Sequence, residues 1–195
     1  MAVTYPLTLP TTGISSVEFR TVNANATSQS PFTFKQQIIS HGGEKFEATI
    51  NLVSMRREDA SAWKAALVSL KGSLGTFLLG DPSCSTPRGT VSSCTLTGGA
   101  GDESGTVVMT GTLKAGDYIQ LGSGSSAKLH QVLVDQDGDG TLELWPALRS
   151  DYTDATVVFN NPKGVFRLSS NVTSWSIDNA SVYGISFDCV ESITG

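Results

Sequence analysis

Apolar and polar residues alternate most clearly after Glu44. Phe46, Ala48, Ile50 and Leu52 share one face, and Glu47, Thr49 and Asn51 share the other. A period of two predicts a half-buried strand. Val17-Glu18-Phe19-Arg20 alternates in the same way, as does PFTFKQQII through Phe32 and Phe34. Ser40-His41-Gly42-Gly43 lies between the last two runs and is turn material, so a hairpin is expected with its turn there.

The period then becomes helical. In REDASAWKAALVSLKG, Trp63, Leu67 and Leu70 recur at helical spacing, with Ala60 and Ala66 beside them. This predicts a helix over 57–71 lying on the apolar face of the preceding sheet. Glu58 and Asp59 suit its first turn and Lys71 its last, and Gly72 is a natural stop. GTFLLGDP follows as a short buried strand. Residues 81–87 are rich in Pro and Ser and read as a domain junction.

Beyond it, TVVMTG, DYIQLGS, KLHQVLV and TLELWP are short strand candidates separated by Gly- and Ser-rich turns. Such spacing predicts a small barrel or sandwich. A second junction falls at Asn160-Asn161-Pro162-Lys163-Gly164. The chain then returns to strands in VFRLSS, TSWSID and SVYGISFDCVE. The expected architecture is mainly β. Residues 1–80 and 162–195 form a β-sandwich with one helix, and 81–161 form an inserted small barrel. The expected core includes Phe46, Ile50, Leu52, Trp63, Leu67, Leu70, Trp175, Ile185 and Phe187.

Composition narrows the function more than the fold. The 195 residues are 39% hydrophobic and 16% charged, with net charge -5. The cations are scattered, which argues against a nucleic-acid-binding surface. MAVTYPLTLP has neither the basic start nor the apolar stretch of a signal peptide, and no apolar run is long enough to span a bilayer. Folding in a cytoplasm is therefore expected, and the sequons at Asn25, Asn171 and Asn179 are read as chance. Cys84 and Cys94 flank a Pro-containing stretch that would allow a bridge, but free thiols are favoured. Cys189 reads as a core residue.

No catalytic motif emerges from the sequence, and no cofactor is expected. His41 falls in the expected turn. His130 shares a strand face with Val132 and Val134, where a lone histidine is read as structural. Asp135, Asp137 and Asp139, followed by Gly140, begin like a calcium loop. Loop position twelve, where a bidentate Glu belongs, is Pro146, and both flanks are β-like. The stretch reads as an acidic hairpin tip, with calcium the weaker alternative. Trp145 shares a face with Glu143 and is a candidate sugar platform. With the three aspartates it defines an alternative reading, a calcium-dependent carbohydrate-binding β-module.

Several longer stretches carry a resemblance. They are LTLPTTG, SPFTFKQQII, MRREDASAWKAALVSLKGSLGTFLLGDP, TPRG, AGDYIQLG, LELWPALR, and NPKGVFRL through YGISFDCVE. From about Leu7 to Glu191 the chain resembles the distal tail proteins of long-tailed bacteriophages and prophages. The resemblance implies a non-enzymatic virion subunit, assembled in the host cytoplasm. It implies a hexameric ring at the tail tip that joins the tail tube protein to the hub and tape-measure proteins while DNA passes through. The ring would be built by a "belt" of β-sandwich plus helix, and the inserted domain would project outward as a spacer or a dock for side fibres. A tail tube or minor tail protein is the related alternative.

Overall fold

The computed structural model describes residues 3–178 and 182–193; the sequon at Asn179 lies outside them. Strands dominate, and the one α-helix among the described residues is α1. The first half contains β1 (Leu7–Thr8), β2 (Ile14–Gln29), β3 (Gln36–Leu52), β4 (Met55–Arg56), α1 (Arg57–Ser69) and β5 (Thr76–Leu79). A middle series follows: β6 (Ser93–Gly98), β7 (Ser104–Thr110), β8 (Thr112–Leu113), β9 (Tyr118–Leu121), β10 (Lys128–Val132), β11 (Gln136–Asp137), β12 (Gly140–Trp145) and β13 (Tyr152–Thr156). The chain ends with β14 (Gly164–Leu168), β15 (Trp175–Ile177) and β16 (Val182–Glu191).

Among the described residues two large sheets share the work, beside a small two-stranded one of β11 and β8. One runs β1-β5-β14-β16-β3-β2, with β4 and β15 also paired to β16. The late strands thus slot between early ones. β14 pairs β5, and β16 pairs β3 with Phe187 opposite Ile50. The other sheet runs β13-β6-β7-β12-β10-β9. Its two ends meet where Gln120 and Val158 exchange backbone hydrogen bonds of 2.8 and 2.9 Å, which curls it toward a closed barrel. Closure leaves fewer edge groups for unwanted pairing. Leu96, Val107, Leu113, Ile119, Leu121 and Leu142 are fully buried inside it.

The first sheet buries Phe46, Ala48, Ile50, Phe77 and Phe166 in one core that takes in Ala60, Trp63 and Leu67 of α1 and Tyr118 and Leu129 of the other sheet. Helical spacing puts Ala60, Trp63 and Leu67 on the inner face, where Trp63 meets Phe187 at 6.1 Å between ring centroids. The helix stops two residues short of the expected 57–71. It ends at Ser69, and Lys71 lies beyond it in the left-handed conformation at φ 52°, so Lys71 does not sit in the last turn. Trp175 also differs from expectation. It is half-buried against the core, because β15 lies at the sheet margin, and Lys64 Nζ covers its ring at 5.1 Å. All three cysteines are free.

The hairpin of β2 and β3 is the largest departure. Its turn is at residues 30–35, where Phe34 N–H donates to Ser30 O (3.0 Å) and Phe34 takes φ 56°. Ser40, His41, Gly42 and Gly43 lie inside β3 instead. There the register slips between Asn23 and Asn25, leaving extra β3 residues opposite Ala24. Gly42 at φ +67° allows this bulge, and a Cβ on Gly43 would approach the Ala24 Cβ to 2.9 Å. Phe32 and Phe34 consequently belong to the hairpin tip, with no core beneath them.

Candidate assembly surface

The inner half of the hairpin follows the expected alternation, from Phe46 to Leu52 in β3. Past the bulge the burial stops. Residues 23–43 are exposed throughout except Ser30, and they form a two-stranded arm reaching beyond the body. The arm is largely uncharged, with Lys35 its one Lys or Arg and no Asp or Glu. Phe32 is 91% exposed and Phe34 71%, with Ile38 and Ile39 also in solvent. Exposed apolar residues scattered singly are ordinary, whereas here two aromatic residues are grouped at the tip of one arm.

A second feature lies at the other end of β2. Residues of both edge strands, β1 and β2, line one open cleft of about 530 Å³. Leu9, Ile14, Val17, Ile50, Trp63 and Leu79 give it apolar walls, and Asp81 and Lys163 are its charged members. Trp63 is pinned there because its Nε1–H donates to Thr12 O at 2.8 Å. The outer backbone edges of β1 and β2 have no strand partner among the described residues. Open edges are where strands from other chains add.

The two sheets meet along a buried polar seam. Glu191 ends β16 with its side chain 1% exposed, and it accepts from Phe46 N (3.1 Å) and Arg149 Nη2 (3.1 Å). Arg149 also donates to Glu44 O at 2.6 Å, and Ala147 N donates to the Glu44 carboxylate at 2.8 Å. Lys128 Nζ donates to Ser192 O at 3.0 Å, and burial pulls its pKa below the usual lysine value. Sequence reasoning missed this seam. Its partners are far apart in the chain, and Glu191 reads there simply as the end of a strand.

His130 completes the seam from β10. It is fully buried, and its Nδ1–H donates to Pro146 O at 2.7 Å. Burial pushes its pKa down to about 4, and the nearby Arg149 and Lys128 charges act in the same direction. The unfolded chain therefore binds a proton below about pH 6.5 that the folded chain refuses until about pH 4. The stabilisation from a neutral His130 is complete above pH 6.5 and is lost as pH falls toward 4, amounting to roughly 3 kcal/mol. Urea unfolding at pH 7 and pH 4.5 should show that loss, and His130→Gln should flatten it.

The aspartates do not converge. Asp135 accepts from Lys114 Nζ (2.9 Å) and Ala115 N (2.8 Å). These contacts, the backbone one first, hold its carboxyl below the usual range. Asp139 accepts instead from Met109 N at 2.8 Å. Asp137 lies in β11, which pairs with β8. The stretch joins the antiparallel strands β10 and β12, as a hairpin tip does, and is also tied down along β8. Among the described residues no three His, Cys, Asp or Glu side chains gather to hold a metal. Titrating calcium to about millimolar, the range of weak extracellular sites, should give no binding heat in a calorimeter.

Trp145 is equally unavailable as a flat platform. Its ring meets Phe46 edge-on at 4.6 Å, and its Nε1–H donates to Asn23 Oδ1 at 3.0 Å. It belongs to the seam, at the root of the arm. His41 lies in the exposed part of β3. Asn25 is exposed on the arm, whereas the Asn171 side chain accepts from Ser73 N and Ser73 Oγ. Among the described residues no helix is long and apolar enough to cross a membrane. Compared with known proteins, the sequence matches no protein-family model and no curated protein.

Proposed function

We propose that this chain is a structural subunit of a bacteriophage tail tip. It builds a hexameric ring that joins the tail tube to the hub and tape-measure proteins and lets DNA pass. The observation that carries this reading is the arm of residues 23–43, exposed along its length and tipped with Phe32 and Phe34. Ordering an extended hairpin that buries almost nothing is costly in conformational entropy. Contacts with neighbouring chains would offset that cost. The open edges of β1 and β2 and the apolar cleft supply a second, different surface. A ring needs two such patches per subunit, since its contacts are heterologous.

Residues 1–80 and 162–195 act as the ring-forming belt in this reading. Residues 81–161 are an insertion whose barrel is held to the belt by the Glu191–Arg149 seam. The role is architectural, with no chemistry assigned to any side chain. A net charge of -5 suits a conduit for DNA, because phosphate binding depends on Lys and Arg. Antibodies against the chain, applied to purified particles of the phage that carries it, should label the tail end distal to the head. Particles that lack the chain altogether would end this reading.

A further inference from the structure

We infer that residues 145–149 of the inserted barrel form a strap that fixes the bearing of the arm, and that the bulge at the arm's root is the hinge the strap holds. Such a strap acts within one copy and does not depend on the proposed ring.

The hinge comes from the register. β2 and β3 pair at Asn23 and Glu44, then again at Asn25 and Ser40. Residues 41–43 of β3 therefore stand opposite Ala24 alone. A bulge interrupts the ladder and bends the strand that carries it. The sheet gives no support beyond this point, because β16 pairs with β3 only from Glu47 to Asn51 and β2 is an edge strand. The described hydrogen bonds of residues 24–43 all stay within the arm. A lone two-stranded ribbon has little stability of its own. Its bearing must be set at the root.

The strap grips both strands there. On β2, Asn23 Oδ1 accepts from Trp145 Nε1–H at 3.0 Å. On β3, the Glu44 carboxylate accepts from Ala147 N–H at 2.8 Å, and Glu44 O accepts from Arg149 Nη2 at 2.6 Å. Asn23 and Glu44 are the last cross-strand pair before the bulge. One bond would leave a pivot, whereas bonds to both strands define a direction. The strap is itself anchored from behind. Pro146 O bonds to His130 of β10 at 2.7 Å, Leu148 N–H donates to Asp102 O at 2.8 Å, and the Leu148 side chain is buried in the barrel core. The position of the barrel is thereby passed to the arm. Asn23 is exposed and Glu44 half-buried, so the grip can be released without emptying either core.

Spin labels read the bearing directly. In a Cys84→Ser background, Thr33→Cys labels the tip and Glu58→Cys labels the start of α1. Both positions are exposed, and the remaining Cys94 and Cys189 are buried. Pulsed electron paramagnetic resonance should give one narrow distance distribution between the labels. Adding Asn23→Ala with Glu44→Ala should abolish the narrow maximum and leave a broad spread, with circular dichroism unchanged. Trp145→Phe keeps a ring against Phe46 and removes only the bond to β2, so it should broaden the distribution less, and it carries the test alone if the double variant does not fold. Thr49→Val breaks a bond to Asp188 on the same β3, away from the strap, and should leave the distribution narrow. A broad distribution before any strap residue is changed, or a narrow one after the strap is cut, overturns the inference. Equal broadening by Thr49→Val would show general loosening of the sheet and overturn it too.

Discussion

Glu191→Ala should lower the unfolding free energy by about 3–5 kcal/mol, the cost of stranding one partner of a buried ion pair. The Glu191 side chain is 1% exposed, and Arg149 beside it is 14% exposed. Removing the carboxylate leaves Arg149 with its bond to Glu44 O but without a compensating charge. It also leaves the buried N–H of Phe46 without its acceptor. The discriminating comparison is a double replacement, Glu191→Leu with Arg149→Met. Replacing a buried pair by apolar side chains of similar size is often close to neutral. The double variant should therefore be more stable than Glu191→Ala alone. Urea unfolding of the three proteins reads the difference. Equal losses in both variants would mean that the seam acts through shape and not through charge.

Trp63→Ala should cost about 3–5 kcal/mol, as large aromatic truncations in cores do. Trp63 is 1% exposed and meets Phe187 across the core. Its indole N–H also ties α1 to the segment after β1 through Thr12 O. Truncation removes a wall of the cleft as well as core packing. Trp63→Phe keeps most of the apolar area and loses the hydrogen bond, so its cost should be nearer 1 kcal/mol. A similar loss in both variants would place the value of Trp63 in the bond and not in the packing.

The body of the fold was legible because burial there follows a simple period. Phe46, Ala48, Ile50 and Leu52 alternate in the sequence and are all buried in β3. Trp63 and Leu67 recur at helical spacing and face the core. The arm was not legible, because its alternation continues where no core exists. Phe32 and Phe34 have the spacing of a buried strand, yet both face solvent at the hairpin tip. Ser40-His41-Gly42-Gly43 has turn composition because a bulge needs the same glycine freedom as a turn. The pair Ser30-Pro31 was the available signal for the true turn.

The aspartate stretch was legible as a hairpin tip, but the partners of its carboxylates were not. Asp135 and Asp139 are close in sequence, but one serves Lys114 and Ala115 while the other serves Met109. Closeness in sequence does not bring these carboxylates around one point, because each is already engaged by a different segment of the chain. Trp145 and Glu191 show the converse. Each acts across the seam with residues remote in the chain, which a local pattern cannot reveal.

If the proposed function holds, electron cryomicroscopy of tailed particles that contain this chain tests the proposed ring most directly. The account predicts six copies of this chain closing a ring at the end of the tail tube, each arm against the next copy. Density at that position fitted by another protein, with this chain placed elsewhere in the particle, would contradict it.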